Sequence, residues 1–227
     1  MTDTILEMTT DPATQNRGRL EALRLYLITD RTLLPEDQFL AGIEAALKGG
    51  VRAIQLREKN LPEHELRSLA NDVLKLTRQY NALLIINHRA ELAHAIGADG
   101  VHLTESSPAV RKIRKEFPAL LIGKSTHSLQ SALRAQHQGA DFVTFSPVFD
   151  TPSKQQYGPP QGLEKLKQVC TVLDLPVLAL GGIDLARTST VRKLGAFGVA
   201  LIRGIWNSPD IEHESLQYIN ALTGENQ

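Results

Sequence analysis

Eight short apolar runs spread along the chain limit its fold more than any other feature. They are LYLIT (25–29), AIQL (53–56), LLII (83–86), GVHL (100–103), LLIG (120–123), FVTF (142–145), VLAL (177–180) and GVALI (198–202). Each is four or five residues long and mostly non-alternating, as parallel strands buried on both faces are. The segments between them carry apolar residues at helical three and four spacing, as in HELRSLANDVLKLTRQY, SLQSALRAQHQ and GLEKLKQVCTVL. Strands alternating with such helices imply βαβ units and a parallel sheet. A glycine signature recurs before every second run, beginning at Gly49, Gly97, Gly139 and Gly195, where each glycine is expected to end a helix in a left-handed cap. Eight units with that internal rhythm predict a single-domain (β/α)8 TIM barrel rather than an open doubly wound sheet.

The barrel is expected over residues 23–222, after a polar, flexible lead-in over 1–22. That lead-in has no long apolar run, so it reads as neither signal peptide nor anchor. No segment reaches the roughly 18 apolar residues of a membrane span, and a cytoplasmic protein is expected. The 25 basic and 25 acidic side chains cancel, which excludes the basic excess of a nucleic-acid binder. With 5% aromatic residues, platforms for stacking bases are also scarce. Cys170 is the only cysteine, as suits a reducing compartment. With no His or Asp beside it in a nucleophile motif, it reads as a helix-packing residue.

In a barrel of this kind, function sits at the C-terminal strand ends and the loops that follow. Gln55 and Arg57 point to one side by strand alternation, with Lys59 just beyond. LALGGID and GVALIRGIW place Gly181-Gly182 and Ile202-Arg203 after strands seven and eight, where barrels often bind phosphate. The long Gly, Pro and Ser-rich loop after strand six, with Thr151, Ser153 and Lys154, is a candidate lid over an anion. His127 at the end of strand five suits proton transfer, or else caps the next helix. His88, His102 and His127 fall near neighbouring strand ends, but with no His-x-His pair zinc is disfavoured. His102 is expected to face outward, toward the helices.

The motifs LYLITD, GGVRAIQLREK, IINHR, GADGVHL, GKSTHSL, GADFVTFSPVFDTPSK, GPPQGLEKL, PVLALGGI and GAFGVALIRGIW resemble, in order, thiamine phosphate synthases and their sister group, the TenI-like thiazole tautomerases. The resemblance implies that Gln55, Arg57 and Lys59 meet a pyrimidine diphosphate and Asn87 reads its pyrimidine. It assigns Ser125 and Lys154 to diphosphate, Thr151 and Ser153 to the thiazole side, and Gly181, Gly182, Ile202 and Arg203 to the thiazole phosphate. Where the synthase pattern has two Mg²⁺-binding aspartates, this chain has His88, and Ser107 within a Thr-Glu-Ser-Ser run. The expected reaction is therefore metal-independent thiazole tautomerisation, with His127 as general acid/base and no cofactor. The alternative is the synthase, which joins hydroxymethylpyrimidine diphosphate to thiazole phosphate and uses Mg²⁺. A non-catalytic phosphate-ligand sensor is a further alternative. The implied partner is a small-molecule thiazole phosphate, with no nucleic acid or membrane, and with homo-oligomerisation left open.

Overall fold

In the computed structural model, which describes residues 18–151 and 159–224, all eight runs are strands. They are β1 (Leu25–Ile28), β2 (Ala53–Leu56), β3 (Leu83–Asn87), β4 (Gly100–Leu103), β5 (Leu121–Thr126), β6 (Phe142–Phe145), β7 (Val177–Leu180) and β8 (Gly198–Leu201). Every neighbouring pair is parallel, and β1 pairs with β8 to close the barrel. The helices outside it are α1 (Phe39–Lys48), α2 (Glu63–Gln79), α3 (Ala90–Ile96), α4 (Val110–Glu116), α5 (Leu129–His137), α6 (Gly162–Val172), α7 (Leu185–Lys193), the short α8 (Arg203–Trp206) and α9 (Ile211–Thr223). No helix among the described residues is long and apolar enough to cross a membrane.

Strand alternation divides the buried residues into two cores. Outward residues such as Leu27, Ile54, Leu84, Val101 and Phe145 pack under the helices. Inward residues such as Tyr26, Ile28, Ile85, Leu121, Phe142 and Leu178 fill the barrel. Each fully buried aliphatic or aromatic side chain contributes about 1.5–3 kcal/mol relative to exposure. Two aromatics make the interior tight, with Tyr26 and Phe142 meeting edge to face at 5.5 Å between ring centroids. Gly123 makes room for them: a Cβ there would lie 2.3 Å from Phe142 Cζ and 2.7 Å from His102 Nδ1. Residues 18–22, the described end of the expected lead-in, lie at the barrel floor. There Leu20 packs beneath the interior core, and Arg19 Nη2 donates to Asp99 O at 2.7 Å.

The glycine repeat needs one correction. Gly97, Gly139 and Gly195 have φ of 72, 90 and 99°, but Gly49 is at −71° and its neighbour Gly50 takes the left-handed turn at 97°. The cap is the same in all four places once Gly50 is used. Val51, Ala98, Ala140 and Ala196 donate backbone N–H groups to Ala46, Ala93, Ala135 and Val191 respectively, five residues back, the long bond of a Schellman cap. Gly49 has a different need, because a Cβ there would lie 2.2 Å from Glu212 O on α9. The fifth strand is also longer than 120–123, since Lys124, Ser125 and Thr126 continue the pairing against Val143, Thr144 and Phe145. Its polar end resembles a loop in sequence, yet the ladder satisfies its backbone.

Gly123→Ala tests how tightly the interior is filled. Overpacking of this kind costs about 1–3 kcal/mol, and urea unfolding should show that loss as a lower midpoint with an unchanged slope. An unaltered midpoint would mean the interior has slack.

Candidate active site

At the upper end of the barrel interior the packing turns polar. Gln55, 2% exposed, donates from Nε2 to the Tyr26 hydroxyl at 2.9 Å. Tyr26 Oη lies 3.4 Å from His102 Nδ1, and His102 Nε2 lies 3.0 Å from Ser125 Oγ and 3.4 Å from Thr144 Oγ1. The expectation that His102 faces the helices is therefore wrong. Its register partners are Asn87 on β3 and Gly123 on β5, and it follows the inward Gly100 at a spacing of two, so alternation turns it into the barrel. Burial, with smaller effects from Lys124 and Arg57, lowers the His102 pKa to about 3 and keeps the ring neutral. Burial also raises the Tyr26 pKa, so its phenol stays protonated.

Around the mouth, the ends of β1 and β2 are tied together. Thr29 Oγ1 donates to Glu58 Oε1 at 2.5 Å and accepts from the Arg57 backbone N–H at 3.0 Å, while Arg31 N donates to Glu58 Oε2 at 3.2 Å. Burial raises the Glu58 pKa, against the opposing pull of those two donors. Arg57 is half-buried beside this clamp and Lys59 is exposed beyond it. On β3, Asn87 is half-buried, and its Nδ2 donates to His88 Nδ1 at 2.8 Å. His88 has φ 49°, a left-handed conformation in which His, Asn and Asp are enriched among non-glycine residues. Partial burial and the nearby Arg89 and Arg57 lower its pKa.

His127 follows β5 and points across to the end of β6. Its Nδ1 lies 2.6 Å from the Ser146 carbonyl oxygen, and a carbonyl only accepts, so Nδ1 carries the proton. The Nε2 lone pair is thereby left as the basic position of the ring. Helix capping falls instead to Ser128, whose Oγ accepts from Ser131 N at 3.1 Å in a reciprocal capping box. Thr151 is half-buried at the start of the long loop. Ser153 and Lys154 lie outside the described residues.

The glycine turn after β7 carries the loop after β6. Gly181 and Gly182 have φ of 98 and 65°. A Cβ on them would lie 2.8 Å from Pro147 Cα and 2.6 Å from Asp150 O respectively. Val148 N donates to Leu180 O and Phe149 N to Gly181 O, so this packing is itself a structural use for both glycines. Arg187 closes the far side, donating to Gly182 O at 2.6 Å with its guanidinium 4.5 Å from the Phe149 ring centroid. Ile202 caps α8, and Arg203 opens it as an exposed cation at the neighbouring strand end.

The Mg²⁺ that the resemblance implies for a synthase can be tested against the donors at its two positions. His88 Nδ1 is engaged by Asn87, and Ser107 Oγ accepts from Thr104 N at 2.9 Å and contacts Thr104 Oγ1 at 3.0 Å. Glu105 is the nearby carboxylate, and it is exposed. Mg²⁺ prefers carboxylate and phosphate oxygens in an octahedron. A neutral imidazole and a committed hydroxyl do not fit that requirement, and no step below runs through a metal. Cys170 is no nucleophile either, because burial pushes its thiol up to about 12.

A closed (β/α)8 barrel whose C-terminal mouth gathers Arg57, Asn87, Ser125, His127 and a double-glycine turn has the layout of a barrel enzyme. The chain belongs to the thiamine monophosphate synthase family, whose model matches residues 25–205. It is 46% identical over 181 residues to "Putative thiamine-phosphate synthase 2" of Aquifex aeolicus, covering 80% of this chain and 96% of that one. It is 39% identical to the thiamine-phosphate synthase of a Roseiflexus species, covering 83% of this chain and 80% of that one. The solved thiamine phosphate pyrophosphorylase of Pyrococcus furiosus superposes with a TM-score of 0.83 at 34% identity, covering 90% of this chain and 97% of that one. The chain is thus an enzyme of a thiamine-synthesising family, which leaves little room for the silent sensor.

Sequence reasoning missed Tyr26, whose strand LYLIT looks uniformly apolar, and Thr144 within FVTF. Both sit at inward positions, so alternation combined with the barrel register was the available signal. It named Glu58 at the end of the second strand without giving it a role, and it passed over the half-buried Lys124, which donates to Thr104 O at 2.7 Å.

The neutral His102 sets a dependence of stability on pH. Its folded pKa is about 3 against an ordinary 6.5, so between those values the unfolded chain binds more protons than the folded one. Its contribution is fully present above about pH 6.5 and is lost as pH falls toward 3. Denaturant unfolding should show a steeper acid loss for the wild type than for His102→Gln; parallel profiles would place His102 in a solvated site.

Proposed function

We propose that the protein makes thiamine phosphate, joining a hydroxymethylpyrimidine diphosphate to a thiazole phosphate. Its similarity to thiamine-phosphate synthases over about four fifths of the chain carries this reading. In the reaction the methylene carbon–oxygen bond to diphosphate breaks, the thiazole nitrogen forms a bond to that carbon, and diphosphate leaves. Asn87 reads the pyrimidine edge from its half-buried place at the end of β3. Arg57 and Lys59 face the departing charge, and Ser125 donates to it. The turn at Gly181-Gly182 and the start of α8 at Ile202-Arg203 take the thiazole phosphate. Thr151, Ser153 and Lys154 are assigned to substrate binding, the last two from outside the described residues.

One observation favours a second reading, thiazole tautomerisation without metal. The two positions that would hold Mg²⁺ carry no carboxylate, while His127 has a fixed tautomer with Nε2 available to take a proton and return it. A base so oriented is what an isomerisation on one substrate requires. Both readings share the phosphate site and differ in what meets the rest of the mouth.

Purified protein supplied with both synthase substrates, and separately with the thiazole carboxylate phosphate, each with Mg²⁺ or with EDTA, distinguishes them by product analysis. The synthase reading expects thiamine phosphate and diphosphate in equal amounts. If no thiamine phosphate forms and the thiazole carboxylate phosphate is isomerised, the second reading replaces the first. In that case His127→Asn should reduce the isomerisation rate by about 10²–10⁴-fold, the usual contribution of a positioned acid/base.

A further inference from the structure

The mouth hydroxyl of Ser125 rests on a column of polar side chains that continues down into the closed barrel. Gln55, Tyr26 and His102 are at most 3% exposed, so each depends on the others for hydrogen bonds. The donors can be assigned starting from Gln55. The Gln55 amide nitrogen only donates, so at 2.9 Å the Tyr26 oxygen accepts from it. The phenol proton then points to His102 Nδ1, 3.4 Å away. A neutral imidazole carries one N–H, and with Nδ1 accepting, that N–H is on Nε2. Nε2 faces Ser125 Oγ at 3.0 Å, with Thr144 Oγ1 farther off at 3.4 Å, and donates to the nearer Ser125. The Ser125 proton is therefore left to point elsewhere, and its half-buried position on the mouth side of His102 gives it the mouth.

We infer that His102 is a positioning residue that makes the Ser125 hydroxyl a one-way donor to an anionic oxygen of the bound substrate, with Gln55 and Tyr26 fixing the direction of the chain. The inference rests on the reading of the mouth as the substrate site, and it holds for either reaction. The reverse tautomer would leave Nε2 as an acceptor. Ser125 would spend its proton on His102 and present a lone pair to the substrate, the wrong sign for an anion. Burial of His102 blocks a third state in which both ring nitrogens donate, because its pKa of about 3 keeps it neutral at working pH. Gly123 serves the same end, since a Cβ there would displace the ring at Nδ1. Gln55 acts on the substrate at second hand, through Tyr26, rather than as a group standing free in the mouth.

The test uses the full-length protein and two independent readouts. Long-range proton–nitrogen correlation spectra of ¹⁵N-labelled protein should show His102 protonated at Nε2. In Tyr26→Phe, which keeps the ring that packs on Phe142, the signal should shift toward the Nδ1–H form. A wild-type ring protonated at Nδ1, or a tautomer indifferent to Tyr26→Phe, overturns the inference whichever reaction the enzyme performs. In whichever of the two assays turns over, Tyr26→Phe and His102→Met should each lower kcat/KM about tenfold, the scale of one hydrogen bond. His102→Gln, whose amide can donate from near the Nε2 position, should recover part of the loss. In a Ser125→Ala background, His102→Met should add nothing further. Full additivity would mean that His102 does not act through Ser125. If neither assay turns over, the functional reading fails, and the spectra still decide the direction of the chain.

Discussion

Closing eight parallel strands into a small barrel leaves the polar side chains inside it without water, and the rest of the site follows from how they satisfy one another. A buried polar group without a partner costs about 1–3 kcal/mol. Here no described side-chain nitrogen or oxygen that is fully buried lacks one. The interior meets that demand with a continuous set of contacts through Gln55, Tyr26, His102 and Ser125, rather than with isolated pairs. The aromatic rings in the same layer hold it in place, with His102 between Tyr26 and Phe142 at centroid distances of 5.8 and 5.7 Å.

That interior also supports the mouth. Ser125 sits directly on His102, and two strands hold His127 through the Ser146 carbonyl. The start of the loop after β6, from Pro147 to Asp150, lies on the glycine turn after β7, so the two form one packed unit. On the opposite side the Thr29–Glu58 clamp locks Arg57 to the end of β1. The mouth is therefore largely preorganised, which suits chemistry that depends on fixed donors where charge develops. Its departure from the synthase pattern is local. His88 keeps the left-handed backbone that Asn and Asp also favour, but its ring is turned to Asn87 and supplies no carboxylate.

Much of this could be read in the chain. Four of the eight strands match the apolar runs to the residue, and the polar rim emerges from reading off their ends. Alternation along AIQLR puts Gln55 and Arg57 on one side, and Gln55 is found inside the barrel against Tyr26. What could not be read required neighbouring strands. GVHL alone does not say which face His102 takes, because every residue of that run is buried and hydropathy has no contrast to offer. Only its pairing with Asn87 and Gly123 decides the matter. The Gly49-Gly50 pair was ambiguous for a similar reason, since either glycine can end a helix and the bond from Val51 to Ala46 selects the second. In KST after LIG, polarity hid three more residues of strand, whose backbone the sixth strand satisfies. The choice between two family reactions turns on His88 and Ser107, where similarity to synthases and the local donors point in different directions.

The central claim is that the mouth, held by the polar interior, receives a thiazole phosphate at the turns after β7 and β8. Titrating that compound into ¹⁵N-labelled protein and following the backbone amides tests it most directly. The account predicts saturable shifts at Gly181, Gly182, Arg203 and Gly204, with Ser125 and His127 responding and the floor of the barrel silent. Shifts confined to the groove of about 400 Å³ at the floor, between Leu20, Cys170 and Phe197, would contradict it.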